Sequence, residues 1–210
     1  MPAPRKFARE QLQAAALALV DDHGLAGLTM RSLASALGTG AMTIYNYVDG
    51  REGLEQLVTE AVMAEAHWCA TPSMDWDDEV LAVAEGMWRA VRAHPHAIPL
   101  ILTRRSLDMA TLRPTEALLQ ALARSGRSGT DLLVAFRAVS GFITGYAQAE
   151  LVGPLSVARD EDLTTITDRI AALPREQFPK LIEIAHAAAA SDPTAEFRAG
   201  MRIIVAGLAT

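Results

Sequence analysis

Residues 24–48 read GLAGLTMRSLASALGTGAMTIYNYV, and this stretch decides how the N-terminal part of the chain folds. Thr29 stands where a helix N-cap belongs. The apolar residues after it recur at helical spacing: Met30, Leu33, Ala34 and Leu37. Glycines at 38 and 40 end this helix after about two turns. A further short helix is predicted over residues 41–48, with Ile44 and Val48 buried.

A longer helix is predicted on each side of this pair. Upstream, apolar residues recur at helical spacing from Leu12 to Val20, and Gly24 is predicted to end the helix. Downstream, a fourth helix is expected over about residues 51–69. Two short helices joined by a glycine-containing turn, with a helix on each side, are typical of a helix-turn-helix. A small bundle of three or four helices without a role in DNA binding fits the same periodicity.

The remainder of the chain also favours helices. Half of all residues are hydrophobic and 5% are aromatic, so the core must consist mostly of Ala, Leu, Val and Ile. We predict helices at about residues 76–94, 95–103, 114–124, 130–151, 176–191 and 193–208, and a loop at residues 152–162. The expected fold class is all-α.

Charge and cysteine content limit the functional classes. The formal net charge is −6, but residues 1–53 carry five cations and five carboxylates and are neutral. A neutral segment suits a protein that touches few phosphates and uses backbone N–H groups at helix N-termini. The single cysteine, Cys69, excludes an internal disulfide and fits a reducing cytoplasm. The sequence contains no signal-like N-terminus and no apolar run near the ~18–20 residues of a membrane span, so we expect a cytoplasmic protein without a membrane partner.

Motifs of catalysis and metal binding are absent from the sequence. It has no phosphate-binding glycine-rich loop and no serine nucleophile elbow. The carboxylates at residues 75–79 stand at a helix N-terminus, where the helix dipole favours them. The histidines at 67, 94, 96 and 186 lack the paired spacing of metal ligands. We therefore expect no enzymatic activity, no cofactor and no metal.

Three runs at the N-terminus resemble a known family in both order and spacing. They are LTMRSLA at 28–34, LG at 37–38 and IYNYV at 44–48, and residues 9–60 as a whole are similar to the DNA-binding segment of the tetracycline-repressor (TetR) family. The C-terminal part is more weakly similar to that family's ligand domain. The cues are His94-Pro95, the run from Phe136 to Tyr146 and the closing helix after Phe197.

The resemblance implies the organisation and function of the whole chain. Residues 1–50 are expected to form the DNA-binding domain, and residues 51–210 a helical domain that dimerises and senses a small molecule, with helix 4 as the connector. Family members are homodimers that bind double-stranded operator DNA, mostly as repressors, and release it when the ligand binds. We therefore expect a repressor that a small molecule releases from a palindromic operator. A constitutive DNA-binding regulator is the first alternative, and a helical enzyme or adaptor is the second.

Residues expected at DNA lie on the second and third helices and on the turns beside them. Asn46 can pair with adenine from the same face as Thr43, and Met42 can contact a thymine methyl. The tyrosines offer hydroxyls to phosphates, as the matching residues of the family do. For Arg31 a solvated surface arginine, and for Tyr45 packing within the small bundle, remain alternatives. The full set is Thr29, Arg31, Thr39, Gly40, Ala41, Met42, Thr43, Tyr45, Asn46, Tyr47 and Arg51, the last standing where the family usually has lysine.

A set of methionine, aromatic and polar residues is expected to line a ligand pocket, although methionines and aromatics at helical spacing also fit a plain core. They are Met63, His67, Trp88, Leu102, Met109, Phe136, Ser140, Thr144 and Tyr146. No histidine stands in the segment where tetracycline-binding members carry a magnesium ligand, so tetracycline itself is not expected. For the dimer we predict a four-helix interface between residues 130–151 and the final helix of each protomer. The final helix would contribute Phe197, Met201, Ile204 and Leu208.

Overall fold

The computed structural model describes residues 7–71, 73–103, 107–152 and 163–209, and these residues form helices without a strand. The helices are α1 (Arg9–Gly27), α2 (Met30–Ala36), α3 (Ala41–Ile44), α4 (Gly50–Ala64), α5 (Trp76–Ala93), α6 (Ile98–Thr103), α7 (Met109–Ala123), α8 (Gly129–Val152), α9 (Leu163–Ala171), α10 (Pro179–Ala189) and α11 (Pro193–Leu208). A single 3-10 turn, Pro95–Ala97, precedes α6. The all-α prediction is confirmed. The chain divides into two compact units, Met1–Arg127 and Ser128–Thr210.

In the first unit, α1 is interrupted where the sequence predicted its end. Gly24 has a φ of +66° and a ψ of −178°, a conformation that side-chain-bearing residues rarely adopt. The helical turn after Gly24 belongs to a separate short piece that leads into α2. The α1 face that contains Leu12, Ala16 and Val20 is buried, and it packs on α4.

The short helices α2 and α3 form the predicted pair. Thr29 caps α2, because its hydroxyl accepts the Ser32 N–H at 3.0 Å while the Ser32 hydroxyl accepts the Thr29 N–H at 2.9 Å. Gly38 turns the chain with a φ of +61°. α3 ends at Ile44 and is shorter than predicted, although the N–H groups of Tyr47 and Val48 still donate to the Ile44 carbonyl.

Helix α4 ends at Ala64, so the prediction that it runs to residue 69 is wrong. The chain leaves the helix there and crosses α5 at Gly86. A Cβ atom at Gly86 would lie 2.5 Å from the His67 carbonyl oxygen, which is closer than packed atoms allow. The backbone at residues 66–70 is non-helical, and Cys69 is exposed.

The helices α5 to α7 complete the first unit. α5 buries a continuous apolar face against α7 and α4, and its largest buried side chain is Trp88. α7 begins at Met109, five residues before the predicted start at Pro114. The reason is Asp108, whose carboxylate caps the helix by accepting the Ala110 N–H at 2.8 Å. Pro114 therefore lies inside the helix.

In the second unit, α8 packs against α11 around a cluster of aromatic rings. Phe142, Tyr146 and Phe197 have ring centroids 5.4–5.6 Å apart. Gly200 makes room for this cluster, since a Cβ there would lie 2.6 Å from Phe142 Cζ. Phe197 and Met201 are fully buried within the protomer. The prediction that they form the face offered to a partner is therefore wrong for these two residues.

Helices α9 and α10 pack on each other around Ile170, Ile182 and Ala185. The sequence analysis missed α9, although Leu163, Ile166 and Ile170 recur at helical spacing. The prediction of a loop at residues 152–162 falls, apart from Val152 at the end of α8, outside the described residues. α10 begins at Pro179, three residues later than predicted.

The long helix α8 differs from the expectation that the chain contains no apolar run near the length of a membrane span. Among the described helices, its residues 129–150 are long and apolar enough, by length and composition alone, to cross a membrane. Only 22% of its most apolar window is buried within the protein. A core helix of a soluble protein passes the same test, so length and composition do not assign α8 to a membrane.

Candidate nucleic-acid interface

The recognition segment, residues 39–47, presents one face to solvent and the other to the core. Ile44 is fully buried under this segment, whereas Met42 is 77% exposed and Tyr45 is 55% exposed. Asn46 is exposed beside them, and Thr43 is half-buried. The predicted readout residues Met42, Tyr45 and Asn46 thus lie on the outer side of the recognition segment, whose inner side is anchored by Ile44.

The start of this segment is shaped by Thr39 and Gly40. The Thr39 hydroxyl donates to the Thr43 hydroxyl at 3.2 Å and so restrains the first turn of α3. Gly40 has a φ of −85°, which any residue can adopt. A Cβ added at Gly40 would meet no atom of the protein within 4 Å. The fold itself therefore does not require glycine at this position.

Tyr47 connects the recognition segment to the beginning of α1. Its hydroxyl oxygen accepts the Phe7 N–H at 2.9 Å, and the two rings lie 6.1 Å apart. Tyr47 is half-buried, in contrast to the exposed Tyr45. The start of α1 and the end of the recognition segment are thereby held at one place.

Arg51 lies at the beginning of α4 and is bound within the protein by three N–H groups. Nη1 donates to the Leu28 carbonyl at 2.6 Å, Nη2 donates to the Leu25 carbonyl at 2.9 Å, and Nε pairs with Glu55 at 2.6 Å. Those carbonyls belong to the segment that leads into Thr29 and α2. Arg51 therefore ties α4 to the start of the helix-turn-helix, whereas Arg31 is exposed on α2.

The predicted ligand residues are distributed over both units. In the first unit, Met63 and Trp88 are buried, which fits the plain-core alternative, and His67, Leu102 and Met109 are exposed. The Trp88 ring lies 5.3 Å from the guanidinium carbon of Arg92.

In the second unit, Phe136, Ser140, Thr144 and Tyr146 are half-buried. The Ser140 and Thr144 hydroxyls donate to carbonyls one turn earlier in α8, at 2.7 and 3.0 Å. The Tyr146 hydroxyl donates to Glu196 at 2.8 Å. A ligand would have to compete with or share these internal hydrogen bonds, and the role of all nine residues stays a prediction.

Comparison with known proteins decides the family. Residues 12–66 match the family described as bacterial regulatory proteins, tetR family, and residues 69–210 match the tetracyclin repressor-like C-terminal domain. The chain belongs to the TetR family. Its members are transcriptional regulators rather than enzymes, so the sequence-based assignments of family, DNA binding and absence of enzymatic activity are confirmed.

Relatives of this TetR-family chain match over nearly its whole length. An HTH-type transcriptional regulator of Saccharopolyspora erythraea is 29% identical over 96% of this chain and 84% of its own. The class A tetracycline repressor protein from transposon 1721 of Escherichia coli is 27% identical over 93% and 87%. The structure of the transcriptional regulator SCO7222, a TetR from Streptomyces coelicolor, superposes with a TM-score of 0.78 at 29% identity. That match covers 97% of this chain and 98% of the other.

Two polar clusters of this TetR-family protein were missed by sequence reasoning. Arg9 pairs with the buried Glu60, and His94 lies between Asp21 and Glu65. The partners are separated by 29 to 73 residues along the chain. Helical periodicity reports which residues share a face of one helix, and it carries no signal for pairs of this kind.

Proposed function

We propose that this regulator is a cytoplasmic homodimer that represses transcription by binding a palindromic operator and that a small molecule releases it from the DNA. The outward face of the recognition segment carries the proposal. Met42 of α3 and the following Tyr45 and Asn46 are exposed on the outer side of the recognition segment, whereas Ile44 on its inner side is buried. Exposed apolar and amide side chains on one short segment suit base edges in a major groove.

The phosphate contacts in this proposal are few. Thr29, Thr39, Tyr45 and Tyr47 offer hydroxyls, and Arg31 offers an exposed guanidinium. Arg51 acts mainly by holding the loop before α2, because three of its five N–H donors are engaged inside the protein. We expect a shallow salt dependence of DNA binding, since log K falls by about 0.9 per neutralised phosphate and decade of salt.

Dimerisation through the second unit is supported by the exposed face of α8 and α11. Val134, Gly141 and Gly145 of α8 are exposed, two turns and then one turn apart, and a Cβ at either glycine would meet open space. On α11, Ile203 is 75% exposed. An apolar helix face with small residues packs closely against another helix. A second copy of this face, related by a two-fold axis, accounts for an apolar helix that one protomer leaves largely uncovered.

Ligand response is the second half of the proposal. The C-terminal family match extends over residues 69–210, and one relative is by name a tetracycline repressor. We propose a small and largely apolar ligand, oriented by polar groups such as Ser140, Thr144 and Tyr146. Phe136→Ala, at a half-buried position, should blunt the response while operator affinity without ligand stays within about threefold.

The experiment is selection of DNA from a pool of random duplexes by the full-length protein, followed by sequencing. We expect an inverted repeat whose half-sites are centred about one helical turn, ~34–36 Å, apart. Asn46→Ala should then relax the preference at one base pair in each half-site, at a cost of about 1–3 kcal/mol. Enrichment of no motif would overturn the proposal. A motif that no compound weakens in fluorescence anisotropy would favour the constitutive alternative.

A further inference from the structure

Three segments of the first unit meet at His94. Its Nδ1 lies 2.8 Å from Asp21 Oδ2 in α1, and its Nε2 lies 2.9 Å from Glu65 Oε2 at the end of α4. The His94 side chain is only 12% exposed. The same turn is bound a second time, since His96 Nδ1 lies 3.0 Å from the Asp21 carbonyl oxygen.

The two carboxylates favour the protonated form of His94 in this arrangement. A neutral imidazole has one N–H and can donate to one of them, whereas the imidazolium donates to both. Burial lowers the pKa of His94, but the hydrogen bonds and negative charges of Glu65 and Asp21 outweigh burial and raise the pKa above its usual value. Asp21 and Glu65 are the charged groups in contact with the imidazole, and His96 faces the backbone of Asp21.

The position of His94 allows this contact to connect two parts of the first unit. α1 and α4 carry the DNA-binding pair α2 and α3, and His94 is the residue between α5 and the 3-10 turn that packs on α1. The contact thus joins the DNA-binding helices, α1–α4, to the body formed by α5–α7.

We propose that His94, Asp21 and Glu65 form a pH-sensitive latch that holds the DNA-binding helices against α5–α7 when His94 is protonated and loosens when it is neutral. Loss of the proton leaves one carboxylate facing a ring lone pair, and it removes the positive charge between two negative ones. The latch is fully formed below the unfolded-state pKa of about 6.5 and is lost as the pH rises through the raised folded-state pKa.

The consequence for regulation rests on the proposed function. When the latch holds the DNA-binding helices in one orientation, the recognition segment is pre-organised for DNA. When the latch is loosened, these helices have to be ordered again as DNA binds. Operator affinity should therefore fall as the pH rises, by a larger factor in the wild-type protein than in His94→Gln.

The first test measures the titration of His94 in the full-length protein by NMR of histidine-labelled samples between pH 5 and 9.5. The same protein unfolded in denaturant is the reference. We expect His94 to titrate at a higher pH in the folded protein than in the unfolded protein, and Asp21→Asn or Glu65→Gln to lower the midpoint of folded His94. A folded-state midpoint of His94 at or below the unfolded-state midpoint would overturn the proposal.

The second test measures the latch motion without DNA. Nitroxides at Arg31→Cys in α2 and Arg113→Cys in α7, in a Cys69→Ser background, report the distance between the DNA-binding helices and the body by electron double resonance. Labelled protein is diluted with excess unlabelled protein so that each pair reports on one protomer. We expect a distance distribution that broadens or shifts between pH 6 and pH 9.

His94→Gln should show the pH 9 distribution at both pH values, and His186→Gln should behave as the wild type does. Asp21→Asn with Glu65→Gln is a second variant, which gives the same test if His94→Gln does not fold. Wild-type distributions that coincide at pH 6 and pH 9 would refute the latch. Because no DNA is present, that outcome is distinct from a failure of operator selection, which would refute the proposed function.

Discussion

The guanidinium of Arg9, at the first residue of α1, forms two hydrogen bonds with the carboxylate of Glu60 in α4. Nε lies 2.8 Å from Oε2 and Nη2 lies 2.8 Å from Oε1. Glu60 is fully buried, and Gln13 also donates to its Oε2 at 2.9 Å. A buried carboxylate is tolerated because these donors replace water. The pair fixes α1 against the helix that leads away from the DNA-binding segment.

Arg9→Ala should therefore destabilise the protein through the carboxylate that it leaves behind. We expect the free energy of unfolding to fall by about 1–2 kcal/mol, less than for a fully buried pair, since the Arg9 side chain is 44% exposed. Chemical denaturation measures the change. Lys180→Ala, which removes the solvent-exposed pair of Lys180 with Glu183, is the control and should leave stability unchanged. Equal effects of the two substitutions would contradict this account.

Arg51→Ala separates a positioning role from a phosphate contact. Loss of the hydrogen bonds to the Leu25 and Leu28 carbonyls should lower stability by about 1–2 kcal/mol. The slope of log K against log salt should stay within error of the wild type, because no phosphate contact is removed. Arg31→Ala is the matched variant and should reduce the slope by about one. A slope reduced by about one in Arg51→Ala would instead show that Arg51 binds phosphate.

Gly40→Ala tests whether the DNA backbone occupies the open space beside Gly40 at the start of α3. The free protein accommodates a Cβ there, so the free energy of unfolding should change by less than about 1 kcal/mol. Operator affinity should fall at least tenfold if the DNA backbone approaches Gly40 closely, because the added methyl would then lie in the interface. Calorimetry measures the change in stability, and fluorescence anisotropy measures operator affinity. Unchanged affinity would show that the DNA backbone does not approach Gly40 so closely.

Ile203→Asp tests the dimer face without disturbing the core. Met201 and Phe197 are buried within the protomer, so a charge there would unfold the second unit. Ile203 is exposed, and Ile203→Asp should give a folded monomer in analytical ultracentrifugation, with weakened operator binding. Ile184→Asp, at another exposed isoleucine in α10, should remain dimeric. A dimer that survives Ile203→Asp would place the interface elsewhere.

The local features of this protein could be predicted from the sequence because each depends on neighbours along the chain. Thr29 caps α2 through Ser32, three residues away, and Gly24 and Gly38 interrupt helices through their own φ angles. The outward face of the recognition segment follows from the spacing of Ile44 and Val48. The family could also be identified from the sequence, since its motifs lie in short contiguous runs.

Features that depend on packing between distant segments were decided by the tertiary structure. After α4 ends at Ala64, the backbone at His67 packs closely on α5 at Gly86. Met201 is core rather than interface because α8 lies against that side of α11. The Arg51 guanidinium binds Leu25 and Leu28, and His94 lies between Asp21 and Glu65, because packing of the helices brings them together. Periodicity determines which side of a helix is apolar, but only the packed fold determines which distant polar group a charged side chain meets and how much water remains between them.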